Sequence, residues 1–137
     1  MNAVYMSIKD VHMSKIVDKT KIYEYRKYIP KRKFNRLYIY VPVPLCELKY
    51  ILDIEDIISY PNKILDVSDG TDDFNKGRKP NNAYKISRVY KLVNPIPSKE
   101  LKDRFGFTAP QGFAYDDRYK ELTDYIEKEE KEIIWQK

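Results

Sequence analysis

The sequence predicts an α+β domain in which a small, mixed and strongly curved β-barrel is decorated by short helices and followed by an amphipathic C-terminal helix. Its 137 residues, 42% of them hydrophobic, are enough to bury one core and fit a single domain. Several short stretches alternate between two sets of side chains and end at Pro, Gly or Asn, as strands do. Regular helical crossovers between these stretches are missing, which disfavours a parallel α/β fold.

The first half of the chain is predicted to contain three strands and one helix. The strands cover residues 4–8, 21–28 and 36–41, and the helix covers residues 10–17. Asp10 is suited to cap this helix, and Pro30 and Pro42 end the second and third strands because proline lacks the N–H that a strand interior needs. Alternation along the second strand puts Glu24 and Arg26 on one face.

The second half is predicted to be more irregular. The apolar residues of 50–60 fit partly the helical period of 3.6 and partly the strand period of two. The spacing of the isoleucines and the leucine alone favours a helix. The other predicted elements are a surface loop over 66–82 with one or two helical turns, a strand over 83–92, a turn over 94–97, a helical turn over 101–105 and a charged amphipathic helix from Asp117. The apolar stripe of the last helix is predicted to contain Tyr119, Leu122, Ile126 and Ile133.

Charge is distributed unevenly along the chain, whose net charge is +5. Residues 15–36 hold nine Lys or Arg and only two acidic residues, a local net charge of +7, whereas residues 46–75 and 116–137 are net acidic. Tyrosines are interleaved with the Lys and Arg residues of the second predicted strand. Because Lys and Arg neutralise phosphates and aromatic rings stack on unpaired bases, this segment predicts a nucleic-acid groove.

Other kinds of site are disfavoured by composition. Cys46 is the single cysteine, which excludes an internal disulfide and a multi-cysteine metal site and fits a reducing compartment. His12 is the single histidine, so a Ser-His-Asp triad has one possible base and a zinc site would need mostly carboxylates. No stretch approaches 18 apolar residues, and the N-terminus lacks the pattern of a signal peptide. We therefore expect a cytoplasmic protein that uses no metal or cofactor and binds no membrane.

A set of short motifs occurs along the chain in one order. The motifs are Ser7-Ile8-Lys9, Lys21-Ile22-Tyr23-Glu24-Tyr25-Arg26-Lys27, Leu37-Tyr38-Ile39-Tyr40, Phe74-Asn75-Lys76-Gly77, Ala83-Tyr84-Lys85-Ile86 and Pro110-Gln111-Gly112-Phe113-Ala114-Tyr115. Together they resemble the ASCH domain, a member of the PUA-like β-barrel superfamily, whose late P-Q-S-F-x-Y motif has Gly112 here in place of serine. The resemblance covers residues 4–115. It implies an ASCH or PUA-like barrel over residues 1–116 and a helical extension over residues 117–137 that packs on it.

The resemblance also implies elements and functions that periodicity alone does not. Residues 50–56 would form the fourth barrel strand, with a helix beginning after Tyr60. The implied function is the binding of nucleic acid, RNA in the first place, or of a modified nucleotide, in a basic cleft beside the first helix and second strand. Some relatives are small amidohydrolases that remove the acetyl group of N4-acetylcytidine with a lysine, a threonine and a carboxylate. Lys21 matches that lysine, but Glu24 stands at the threonine position, which disfavours acyl transfer.

The candidate ligand-binding residues cluster around this cleft. They are Lys9, Lys21, Glu24, Arg26, Lys27, Lys31, Arg32, Lys33, Tyr40 and Gln111; if the chain is an enzyme, Lys21 and Glu24 are the catalytic candidates. In the binding hypothesis Glu24 accepts a hydrogen bond from an exocyclic amine or a ribose hydroxyl, while Lys21 and Arg26 hold a phosphate or a base edge. The competing interpretation is a structural ion pair across the barrel mouth.

Three functions therefore follow as hypotheses. The first is a nucleic-acid or modified-nucleotide binding domain, and the second is an amidohydrolase acting on substrates like N4-acetylcytidine. The third is a protein-interaction module, in which the basic face or the C-terminal helix docks a protein partner or a second copy of the chain. We expect a binder rather than an enzyme because of Glu24.

Overall fold

A curved seven-stranded sheet runs through the computed structural model, which describes residues 2–137. The strands are β1 (Ala3–Ser7), β2 (Tyr23–Arg26), β3 (Arg36–Val41), β4 (Glu47–Ser59), β5 (Asn82–Pro97), β6 (Ala114–Tyr115) and β7 (Lys131–Gln136). The helices are α1 (Asp10–Val17), α2 (Thr71–Asn75), α3 (Ser98–Phe105) and α4 (Lys120–Lys128), and a 3₁₀ turn (Asp116–Tyr119) precedes α4.

The sheet is mixed, and its strand order is β2-β5-β4-β3-β1-β6 with β7 beside β5. β1 and β3 are parallel, which the intervening α1 and β2 make possible, and the other pairs are antiparallel. β5 is the centre of the sheet because it pairs with β2, β4 and β7. The predicted small α+β barrel with short helices is thus confirmed as an open, half-barrel sheet.

Hydrophobic clusters cover both faces of the sheet. On one face, Val4 and Met6 pack with Met13 and Ile16 of α1; we call this the α1 face. On the other, Tyr5 and Tyr38 pack with residues of α3 and with Leu122 and Ile126 of α4; we call this the α4 face. Alternate side chains of one strand therefore enter different clusters.

An ion cluster fixes α4 to the sheet. Arg36 Nε lies 2.7 Å from Asp53 Oδ1, and Arg36 Nη1 lies 3.0 Å from Glu127 Oε1. Arg88 Nη1 lies 3.8 Å from Asp53 Oδ2, and the Tyr38 hydroxyl donates to Glu127 at 2.5 Å. We call Arg36, Asp53, Arg88 and Glu127 the clamp cluster, since it joins β3, β4, β5 and α4.

The sequence predictions for the first half are close to these bounds. β1, α1, β2 and β3 lie where the patterns placed them, although β2 is shorter than residues 21–28. The strand that the resemblance implied over residues 50–56 is confirmed and is longer, since β4 begins at Glu47 and ends at Ser59. The loop over 66–82 contains one short helix, α2, as predicted.

The helix expected directly after Tyr60 is absent from the described residues; the next helix begins at Thr71. The backbone N–H of Ile64 donates to the side-chain oxygen of Asn75, and the Asn75 amide donates to the carbonyl oxygen of Ile64. These bonds occupy the groups that a helix at Ile64 would need.

The predicted turn over residues 94–97 is also wrong, because this segment continues β5 as far as Pro97. Here β5 has β4 on one side, and its other edge is not paired within residues 2–137. Pro95 and Pro97 are tolerated because an edge position does not require every backbone N–H.

The C-terminal segment is half helix and half strand. α4 is amphipathic and buries Leu122 and Ile126, as the predicted stripe requires, but it ends at Lys128. The prediction that Ile133 continues the stripe is wrong, since Ile133 lies in β7 and pairs with Tyr90 of β5. The Ile133-Ile134-Trp135 run favours a strand, and the open edge of β5 supplies its partner. The domain boundary at residue 116 stays a prediction.

No helix in residues 2–137 is long and apolar enough to cross a membrane.

Candidate nucleic-acid interface

Three charged side chains of the second strand region form a buried cluster. Lys21 Nζ lies 3.6 Å from Glu24 Oε1, and Arg26 Nε lies 3.0 Å from Glu24 Oε2. The side chains of Lys21 and Glu24 are only 6% and 8% exposed, and that of Arg26 is 23% exposed. We call these three residues the mouth cluster. It holds two cations and one anion.

The alternation of β2 produces this arrangement. Glu24 pairs in register with Tyr84 of β5, which is buried on the α1 face. Glu24 and Arg26 therefore point to the α1 face, while Tyr23 and Tyr25 pack on the other side against a small cluster with Phe74. Lys21 lies two residues before the first residue of β2, and its backbone N–H donates to the carbonyl oxygen of Lys15 in α1.

Arg26 connects two strands that are not neighbours in the sheet. Its Nη2 atom donates to the carbonyl oxygen of Ser7 at 2.6 Å, so β2 and the end of β1 approach each other here. β6 pairs only with Val4 and Tyr5, which leaves the end of β1 open on that side. The mouth cluster thus lies at the opening of the half-barrel. Within residues 2–137, Ser7 Oγ is buried without a hydrogen-bond partner.

Two groups at the mouth cluster have a pKa below the ordinary value, mainly because of burial. Burial lowers the pKa of Lys21 from its usual value; Glu24 opposes this effect, and the positive charge of Lys79 adds to it. Burial and the charge of Lys21 also lower the pKa of His12, an exposed residue of α1. Burial is the main cause of both shifts, so the pKa directions report removal from water, with a smaller contribution from neighbouring positive charge.

A cavity of about 160 Å³ lies beside the mouth cluster. Its walls include Met6, Arg26, Lys27, Tyr28, Gln111 and Phe113. We call it the first cavity. The structure therefore brings together Arg26, Lys27 and Gln111, three of the predicted site residues, and adds exposed aromatic surface from Tyr28.

Within residues 2–137, four of the lysines predicted to bind nucleic acid form no ion pair. Lys9, Lys27, Lys31 and Lys33 are exposed, and none has a carboxylate within 4.0 Å among the described residues. Lys9 directly precedes α1. Exposed lysines without ion pairs remain available for phosphate contacts.

Arg32 lies apart from the first cavity, in a different environment. Its guanidinium forms two hydrogen bonds with Asp117, at 2.8 and 3.3 Å, and lies 3.6 Å from the centre of the Tyr115 ring. It contributes, with Lys33 and Tyr115, to a cavity of about 240 Å³ that we call the second cavity. Its charge is therefore partly neutralised within the chain.

Tyr40 is not brought together with the mouth cluster. It lies on the α4 face and lines a separate cavity of about 260 Å³ with Ser98, Leu101 and Phe107. Tyr38 shares its face and is fully buried. Alternation along β3 could have indicated that these two tyrosines face away from Glu24, but only if the sheet order were known.

Sequence reasoning missed several residues of the opening. Ser7 contributes its carbonyl oxygen, a group that every residue carries and that gives no side-chain signal. Tyr28 and Phe113 line the first cavity, and Lys79 lies over the Tyr25 ring beside Lys21. Ser7 and Phe113 lie in the first and last of the motifs, but neither motif indicated that these two residues would border the cavity.

No protein-family model and no curated protein matches the sequence. The fold, in contrast, matches solved structures. A crystal structure of ASCH from Zymomonas mobilis superposes with a TM-score of 0.68 at 21% identity, covering 93% of this chain and 96% of that chain. A tyrosine-to-phenylalanine mutant of that protein gives a TM-score of 0.68 at 19% identity, covering 95% and 100%. A serine-to-alanine mutant gives 0.63 at 20% identity, covering 90% and 95%.

These structures cover nearly the whole of this chain. The sequence identity is low, so the likeness concerns the arrangement of strands and helices. The motif resemblance had implied the same curved sheet with short helices. The chain therefore has the fold of the ASCH domain.

Proposed function

We propose that the chain binds nucleic acid, RNA in the first place, or a modified nucleotide at the opening beside α1 and β2. The observation that carries this proposal is the mouth cluster. It keeps Lys21 and Glu24 nearly out of water and places Arg26, which is partly exposed, at the edge of an open cavity. Burial of an unbalanced charge is unfavourable unless something compensates it, and a phosphate would do so.

The neighbouring groups suit the same ligand. The guanidinium of Arg26 presents donors in a fork that fits a phosphate or a guanine edge. Glu24 accepts from Arg26 and is placed to accept from an exocyclic amine. Gln111 and the ring of Tyr28 lie across the first cavity and offer hydrogen bonds and stacking to a base.

The proposal predicts salt-dependent binding of single-stranded RNA. With three or four phosphates neutralised and a slope of about 0.7 per contact, affinity should fall about 20- to 50-fold between 50 and 200 mM salt. Fluorescence anisotropy with a labelled RNA would measure this. A variant with Lys27, Lys31 and Lys33 changed to Gln should show a shallower salt slope.

The matched control changes Lys99, Lys102 and Lys128 to Gln, since these exposed lysines lie on α3 and α4. It removes the same charge but should keep the salt slope. A flat salt response of the natural protein would contradict the proposal, and capture of a protein partner that survives high salt would support the interaction module instead.

The amidohydrolase is a second candidate because of one observation on Lys21. A buried lysine with a lowered pKa is a candidate general base, and Lys21 lies beside a carboxylate. Against it, Glu24 occupies the position of the relatives' threonine, so a hydroxyl nucleophile is not provided there. We expect no acetate release from N4-acetylcytidine. If the natural protein releases acetate from N4-acetylcytidine and Lys21→Met does not, the chain is an enzyme and the proposal that it is only a binding domain is wrong.

A further inference from the structure

We infer that the first and second cavities are two subsites of one groove for a single-stranded nucleic acid, and that Arg32 is the stacking platform of the second subsite. This inference rests on the proposed function. It adds that the ligand is an oligonucleotide that continues past the mouth cluster rather than a single nucleotide.

The same two chain segments line both cavities, although, among residues 2–137, the cavities have no lining residue in common. The segment from Lys27 to Lys33 lines the first cavity at one end and the second cavity at the other. The segment from Gln111 to Asp116 does the same in the same order. The rings of Phe113, in the first cavity, and Tyr115, in the second, contact each other, with centres 5.2 Å apart at an angle of 72°. The two cavities therefore follow one another along the same pair of segments, as neighbouring subsites of one groove would.

Arg32 is held flat at the far end of this path. Tyr115 supports one face of the guanidinium at 3.6 Å, and the Tyr115 hydroxyl accepts a hydrogen bond from the Arg32 backbone N–H at 3.3 Å. Asp117 binds its edge through two hydrogen bonds. The side chain is still 55% exposed, so its second face is available to a base. Guanidinium planes stack on unpaired bases in this way.

The charges along the path fit a sugar-phosphate backbone. Lys27 lines the first cavity and Lys33 the second, and Lys31 lies between them in the chain; none of the three has a carboxylate partner among residues 2–137. The lining residues of the two cavities include four cations, Arg26, Lys27, Arg32 and Lys33, and one carboxylate, Asp116, while Asp117 pairs with Arg32 from outside the lining. The two linings together are therefore net positive, which is what successive phosphates require.

The test compares one nucleotide with four. Binding of uridine monophosphate, tetrauridylate and tetrathymidylate to the natural protein is measured by calorimetry, and the two tetranucleotides distinguish RNA from DNA. We expect a tetranucleotide to bind at least about tenfold more tightly than the monophosphate, since each stacked base contributes substantially. Arg32→Ala should remove about tenfold from tetranucleotide affinity and leave monophosphate affinity unchanged.

Two further variants isolate the stacked plane. Arg32→Lys keeps the charge but loses the plane, and it should weaken tetranucleotide binding nearly as much as Arg32→Ala. The matched control is Arg104→Ala, because Arg104 also pairs with a carboxylate, lies 4.4 Å from a tyrosine ring and is 52% exposed, but belongs to α3. It should change neither affinity. Circular dichroism checks that each variant is folded.

The outcomes separate the two proposals. If the monophosphate binds and Arg26→Ala abolishes that binding, but tetranucleotides bind no more tightly, the groove is wrong and the proposed function stands. Equal loss with Arg32→Ala and Arg104→Ala, or full affinity in Arg32→Lys, overturns the stacking role. If neither a monophosphate nor a tetranucleotide binds, the proposed function and the groove both fail.

Discussion

The clamp cluster and the mouth cluster are both ion clusters of buried and partly exposed side chains, but they differ in charge balance. The clamp cluster contains two arginines and two carboxylates, and it joins four elements of the fold. The mouth cluster contains two cations and one carboxylate, and it lies beside an open cavity. A cluster that serves only stability is expected to be neutral, since an uncompensated buried charge is costly. The excess charge is therefore the feature that distinguishes the proposed ligand site from the clamp cluster.

The largest effect is expected at the clamp cluster. Arg36→Met leaves Asp53 and Glu127 without their shared cation and should lower the free energy of unfolding by about 3 kcal/mol. Urea unfolding followed by circular dichroism would measure it. The control is Arg104→Met, whose exposed pair with Glu100 should contribute at most about 0.5 kcal/mol. A loss of nucleic-acid affinity in folded Arg36→Met would contradict a purely structural clamp.

The second effect concerns Arg26 and should appear in binding rather than in stability. Arg26→Ala removes the exposed cation of the mouth cluster and should weaken RNA binding by about 1–3 kcal/mol. The stability of the fold should change little, because Glu24 keeps Lys21 as its partner. If Arg26→Ala instead lowers the melting temperature strongly and leaves the affinity of the folded protein unchanged, the mouth cluster is structural like the clamp.

A smaller effect of opposite sign is expected for Glu24→Gln. The amide keeps the shape of the side chain but raises the positive excess, so phosphate binding should strengthen by about 1 kcal/mol. The preference among bases should change at the same time, since an amide also donates. Competition between the four nucleoside monophosphates would test both effects. Weaker binding to all four would show that the carboxylate itself holds the ligand.

The local parts of this comparison were predictable from the sequence. Glu24 and Arg26 are two residues apart on a strand, and a period of two is enough to place them together. The bounds of the strands and the helix up to Val41 were predictable because each depends on a pattern among residues that are close together in the sequence. The unpaired lysines were visible as a basic run.

What the sequence did not reveal depends on contacts between distant segments. The bond from Arg26 to Ser7 requires knowledge of where the sheet opens, and it uses a backbone oxygen. Ile133 keeps helical spacing from Ile126, so the pattern could not show that the free edge of β5 would take residues 131–136 as a strand. Tyr40 was assigned to the cleft because its face was unknown until the strand order was known.

The smallest effect concerns pH and Lys21. Because its pKa lies below the ordinary lysine value, Lys21 loses its positive charge at a lower pH than an exposed lysine. RNA affinity should therefore fall as pH rises through that lowered pKa, before the exposed lysines titrate. Lys21→Arg should keep the charge and move the fall to higher pH. Identical pH profiles for the two proteins, measured at constant salt, would mean that Lys21 does not contribute to binding.

The central position of β5 has a consequence for how the chain folds during synthesis. Its partners are residues 23–26, 47–59 and 131–136, so much of the sheet depends on pairing between distant segments, which slows folding. The long antiparallel β4–β5 pair can form once residue 97 has been synthesised. The edge of β5 at residues 88–92 stays unpaired until β7 has been synthesised. Until then that edge is an open template for strand addition, and a nascent chain stalled before residue 131 should associate with its neighbours more readily than the complete chain.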